Sequence, residues 1–127
     1  MDTATLYDTF RLQHPDLAAA TDRRHAAFWE TGKTGVSYLW FESLANELNA
    51  WMRDGEKHAA IGAAFKYLDQ AFRRGDAEVR DWIDVGLVEN LFWQVPAKHA
   101  GPVWPLLPPS LQQLYIAFHH HLPEMEA

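Results

Sequence analysis

Cysteine is absent from the chain. That removes disulfides, thiolate metal sites and cysteine nucleophiles together, and it fits a reducing compartment. Apolar runs are short, none approaching the roughly 20 residues that a bilayer-crossing helix needs. The opening MDTATLYDTF has neither the basic start nor the apolar core of a signal peptide, so the expected location is the cytoplasm. Positive charge is also scarce: 11 Lys and Arg stand against 17 Asp and Glu, a formal net charge of −6. Nucleic acids and anionic membranes require a basic footprint. Neither is expected as a partner, whereas a cationic protein surface is compatible with this balance.

Catalytic and metal motifs are missing as well. Ser37, Ser43 and Ser110 occupy no Gly-x-Ser-x-Gly elbow. The stretch TGKTG at Thr31 to Gly35 lacks the upstream glycine spacing and the preceding strand of a phosphate loop. There is no His-Glu-x-x-His, and His14, His25, His58 and His99 lie in separate segments. His119, His120 and His121 are consecutive, so on a helix they splay about 100° apart and cannot face one ion. No metal, cofactor or enzymatic activity is therefore expected.

What the chain does have is aromatic bulk. Six tryptophans and seven phenylalanines in 127 residues supply a core for one domain spanning 1–127. No strand pattern competes with the helical ones, and the expectation is an all-α bundle of about five helices. The first runs from Asp2 or Thr3 to Gln13, before Pro15; residues 16–33 stay open between helix and loop. The second spans about Val36 to Arg53, with Trp40, Phe41, Leu44, Leu48, Trp51 and Met52 on one stripe and Glu42, Asn46, Asn49 and Arg53 on the other side. Gly55 stands where a left-handed C-cap is expected. The third runs from Glu56 to Arg74, burying Ile61, Ala64, Phe65, Leu68 and Phe72, with Lys66, Asp69, Gln70 and Arg73 outside. Asp76 then caps the fourth. Beyond Val95, PAKHAGPVWPLLPP holds five of the seven prolines and reads as a loop. Ser110 to Gln113 reads as a capping box opening a last helix, Leu111 to His121.

The fourth helix, VRDWIDVGLVENLFWQV from Val79 to Val95, is apolar around most of its circumference. At 100° per residue, Glu89 falls between Val85 and Trp82, and Asn90 between Val79 and Ile83, both within the apolar arc. A carboxylate buried there needs a partner, so Glu89 and Asn90 read as buried structural ties. Glu89→Ala is then expected to cost a few kcal/mol by stranding that partner. Gly86 on the same face implies close approach of a helix or ring. Arg80, Asp81 and Asp84 form the narrow polar sector.

Two stretches, F-x-x-L-A at Phe41 to Ala45 and RRGDAEVRDWIDVGLVENL at Arg73 to Leu91, carry a resemblance. With their Gly-Asp joint, Val, Ile-x-Val and Glu-Asn-Leu, residues 38–95 resemble a family of small helical bacterial domains. Its members often stand as presumed immunity partners of toxins in interbacterial competition. The resemblance implies a non-enzymatic protein that occludes a cognate toxin with a basic surface, and it makes Glu89 and Asn90 framework residues.

Glu78, Asp81 and Asp84 form an acidic strip, either a solvated helix face or a landing surface for that partner. Trp104, in the apolar run Val103 to Leu107, either folds back over the bundle or forms part of a binding patch. Two other functions stay in view: a helical adaptor that homodimerises through its apolar C-terminal segment, and a small enzyme using Glu89 with His58 or His99. The oligomeric state is not readable from the sequence.

Overall fold

Asp2 starts the chain's first helix, its carboxylate accepting the Thr5 N–H at 2.8 Å. Such a cap satisfies one of the donors that a helix start leaves free. Helix α1 spans Thr3–Gln13 and turns Leu6, Tyr7 and Phe10 inward. It breaks at His14, because Pro15 has no N–H to continue the ladder, and the chain restarts as α2, Pro15–Trp29. The fold is described for residues 1–29 and 38–126 in a computed structural model, with Phe28 and Trp29 as backbone alone. The TGKTG stretch, Ser37 and the expected helix start at Val36 lie outside the described residues.

Helix α3, Tyr38–Asp54, closes on Gly55, whose φ of +76° is the left-handed conformation expected there. Helix α4, His58–Arg74, follows. Asp76 then caps α5, Ala77–Asp81, accepting the Val79 N–H at 2.9 Å. This helix runs on without a break into a π-helical turn, Trp82–Leu87, and a 3-10 turn, Val88–Asn90. After an irregular link come α6, Ala97–Val103, a 3-10 turn, Trp104–Leu106, and α7, Pro109–His119. The described residues thus form a single all-helical fold without strands.

The helix count is seven rather than five. One addition is α2, in the segment left open; the other is α6, inside the proline-rich run expected to be loop. The prolines there punctuate helices instead of preventing them. Pro96 is the N-cap of α6, Pro109 is the first residue of α7, Pro105 is the second residue of the 3-10 turn, and Pro102 falls inside α6, one residue before its end. At the first positions the missing N–H costs nothing, and at Pro102 it removes a single bond. The capping box at Ser110 does not form: Pro108 is the N-cap, no side chain caps the helix, and Ser110 is its second residue.

Helix α3 is the axis of the bundle. It touches α2, α4, α6, the π turn and the 3-10 turn that follows. Trp40, Phe41, Leu44, Leu48 and Met52 are fully buried among Phe10, Ile61, Phe65, Leu68, Ile83 and Leu87. Each such side chain contributes roughly 1.5–3 kcal/mol of burial. Two residues expected on outer faces are inside: Asn49 at 1% exposure and Asp69 at 7%. Asp69 accepts Arg73 at 3.2 Å. Between α1 and α2, Arg11 grips Asp22 with two bonds of 2.8 and 2.6 Å. The same carboxylate accepts the Trp40 indole N–H at 2.8 Å. Burial alone raises the Asp22 pKa, but these donors outweigh it and hold the carboxyl below its ordinary range.

The joint from α4 to α5 depends on Gly75. Its backbone is extended, yet a β-carbon there would collide with the Val79 side chain and sit 2.7 Å from the Ala71 carbonyl oxygen. Gly75→Ala should therefore lower stability by about 2 kcal/mol through forced backbone movement. Urea denaturation measures this, and an unshifted midpoint would contradict it.

Candidate partner-binding cleft

The π turn decides where the polar residues of the central segment point. An i→i+5 turn takes up one more residue than an α turn, so side chains beyond it lag by about one residue, or about 100°. Val88, placed opposite Val79 by a uniform wheel, is fully buried. Glu89, placed in the apolar arc, instead swings into the sector of Asp81 and Asp84 and is half-buried. The expectation of a buried, partnered Glu89 is corrected accordingly. Among the described residues no cation pairs with it, so Glu89→Ala strands nothing. The close approach expected at Gly86 is present: a β-carbon would meet Phe41 Cβ, the Tyr38 ring and the Tyr38 carbonyl oxygen, each at 3.4 Å.

Asn90 is half-buried too, and its amide donates to the Gly86 carbonyl at 2.9 Å. The buried polar tie is Asn49 of α3. Its Nδ2 donates to the Asn90 carbonyl at 2.9 Å and its Oδ1 accepts the Phe92 N–H at 2.8 Å. One side chain thus satisfies a carbonyl and an amide that lose helical partners where the 3-10 turn stops.

That bracket holds an unusual link. Phe92 and Gln94 both have positive φ, 67° and 55°, a conformation that costs a non-glycine residue about 1–2 kcal/mol. Phe92 turns inward, edge-on to Trp104 at 5.6 Å and to Tyr115 at 5.7 Å. Trp93, between the two strained residues, is thrown outward and is 62% exposed. Arg53 donates to the Trp93 carbonyl at 3.5 Å.

Beside this link opens a cleft of about 330 Å³. Its walls include Glu89, Trp93, Gln94, Tyr115, His119, His121 and Glu124. His119 donates from Nε2 to the Glu89 carbonyl at 3.1 Å, which fixes the proton on that nitrogen. Its ring lies on Tyr115 at 4.1 Å. Burial lowers the His119 pKa and the neighbouring His121 lowers it further, against the raising effect of its bond to Glu89. Burial also raises the carboxyl pKa of Glu89, with Asp84 and then Asp81 adding to it. Asp84 is raised by burial and by Asp81. Tyr38 is raised by burial, then by Glu42, Glu89 and Asp81. These acids sense one another, and among the described residues no cation forms an ion pair with Asp81, Asp84 or Glu89.

Of the anticipated contact residues, Asp81 is exposed and Asp84 half-buried on this acidic side. Glu78 is engaged elsewhere, accepting the Thr3 hydroxyl at 3.0 Å. Trp104 folds back: it is half-buried, packs edge-on to Tyr115 at 5.5 Å, and its carbonyl accepts Gln112. His58 and His99 do not line the cleft; the histidine next to Glu89 is His119. Asn49 was legible in principle, since it sits four residues after buried Ala45 and three before buried Met52. Trp93 carried no such signal, because no glycine marks the strained link. Among the described residues, no group of three or more His, Asp and Glu is placed to hold a metal ion, and no helix is long and apolar enough to cross a membrane.

Fold and cleft together define an all-helical domain with an acidic side and a tryptophan-tipped cleft. Residues 7–122 match the domain of unknown function DUF7674, and the chain belongs to that family. No curated protein and no solved structure matches the chain.

Asn49→Ala should reduce stability by about 3 kcal/mol, since it leaves a buried N–H and a carbonyl without partners. A urea midpoint shifted by less than about 1 kcal/mol would refute the bracket. The acids predict a pH response. Asp84 and Glu89, raised above 3.8 and 4.5, hold protons more tightly folded than unfolded. Their contribution is fully present below those values and is lost as pH rises through the folded ones. Asp22, lowered from 3.8, acts oppositely: its contribution is present above that value and lost as pH falls. Asp84→Asn and Glu89→Gln should therefore raise the melting temperature at neutral pH and leave it unchanged below pH 3.8. A lower melting temperature at neutral pH would reverse the sign.

Proposed function

We propose that this chain is a binding protein of the immunity type, which covers the cationic surface of a cognate toxin in the cytoplasm. The observation that carries this reading is the unneutralised acidic side formed by Asp81, Asp84 and Glu89. By contrast, Asp22 is paired with Arg11, Glu47 with Arg24 and Asp69 with Arg73. Leaving like charges together raises the folded state's energy. A basic partner surface would remove that cost on binding, and its approach would be accelerated by the same field. The resemblance of residues 38–95 to presumed immunity domains supports the same class.

Co-expression with the product of the adjoining reading frame tests the proposal. Suppression of its toxicity and a stable complex are expected, and failure of both would overturn the reading. Within such a complex, Asp81→Asn combined with Asp84→Asn should slow association about tenfold at low salt and leave dissociation nearly unchanged. An unaltered association rate would remove the acidic side from recognition.

A second reading has one observation in its favour. Glu89, with a raised pKa, lines an open cleft beside His119, as a general acid or base would. On that reading protection is catalytic, and substoichiometric amounts of this protein suffice; a strict one-to-one requirement excludes it.

A further inference from the structure

We infer that the cleft beneath Trp93 receives an arginine- or lysine-bearing segment of the protein partner, with Trp93 as its aromatic anchor and Glu89 and Glu124 as its anionic walls. This rests on the proposed function for the class of partner; the location and the chemistry come from the cleft itself.

Trp93 is the most exposed of the tryptophans whose side chains are described, at 62%. The flanking φ values at Phe92 and Gln94 orient it outward, and Asn49 and Arg53 hold the backbone on either side of it. The indole is also the best aromatic face for a cation, and tryptophan and arginine are the side chains that most often dominate binding energy.

The charges of the cleft favour a cation over an anion. Glu89 and Glu124 line it, Asp84 and Asp81 reinforce the field at Glu89, and Arg53 is not among its walls. Of the wall histidines, His119 favours its neutral form, as burial lowers its pKa, and the His121 ring is bonded to the Leu122 carbonyl at 2.7 Å. A basic side chain entering here meets carboxylates that, among the described residues, have no ion-pair partner.

The surroundings favour a polypeptide over a small cation. Beyond the wall, α7 and the tail expose Ile116, Phe118 and Leu122, and the Phe118 ring stands edge-on to His119 at 4.8 Å. That apolar margin continues from the cleft, giving the charged pocket a desolvating rim of the kind that surrounds binding hot spots.

The test uses the full chain and a labelled nona-arginine peptide, followed by fluorescence anisotropy at low and moderate salt. Saturable binding is expected, weakened at least tenfold by Trp93→Ala and at least fivefold by Glu89→Gln, and partly kept by Trp93→Phe. Because Trp93 is exposed, its variants should retain the wild-type melting temperature, so lost binding reports the contact rather than unfolding. Peptide binding that falls only with Asp81→Asn and Asp84→Asn would overturn the inference, as would no binding at all. Equally tight binding of free argininamide would make this a small-cation site and refute a segment. A sedimentation coefficient that falls to that of a monomer on Trp93→Ala would name a second copy of the chain as occupant and also refute it. The two readings fail separately: toxin suppression without peptide binding sinks only the cleft, and peptide binding without suppression sinks only the immunity function.

Discussion

The carboxamide of Asn49 is the contact on which the second half of the molecule depends. Where the 3-10 turn ends, the chain must leave helical geometry inside the bundle, and backbone groups there have no ladder to join. Donating to Asn90 and accepting from Phe92, this one side chain makes the departure affordable. With the exit fixed, Phe92 reaches Trp104 and Tyr115, and that aromatic triad joins the link to the 3-10 turn after α6 and to α7. A polar residue in a core of leucines and phenylalanines thus specifies the path of the chain more than it adds to stability.

Charge divides the molecule into two regimes. Between α1, α2 and α3, Asp22 is matched by Arg11 and Glu47 by Arg24, and Asp22 also takes an indole N–H. Around the π turn, Asp81, Asp84, Glu89 and Glu42 share a neighbourhood with a tyrosine and with no matching cation among the described residues. The first arrangement holds helices together; the second spends folding energy on a field that projects outward.

Much of the framework was legible. Helix α1 followed from its start and stop signals, α3 and α4 from apolar spacing, Gly55 and Asp76 from cap chemistry, and the contact at Gly86 from a glycine on a buried face. The failures in the central segment share a cause: they occur where the backbone departs from uniform α geometry. Constant 100° steps carried Glu89 into the core, because the sequence gives no sign of an extra residue taken up between Trp82 and Leu87. Proline was read as a barrier although its position, at a helix start or just before an end, is what matters. The same constant steps put Trp93 about 40° from Val79, on the apolar arc, whereas it is exposed. The strain that expels it arises from tertiary contacts, which no local pattern encodes. The acidic strip was visible as composition, but its unpaired state required knowing where every arginine went.

The placement of Trp93 has an optical consequence. Trp40 is wholly enclosed, Trp51 nearly so, and Trp82 and Trp104 are half-covered. An indole in water emits at longer wavelength than one in a protein interior, so among the tryptophans whose side chains are described Trp93 emits furthest to the red. The chain therefore carries its own reporter, one whose colour and accessibility to quenchers register whatever settles over that single ring.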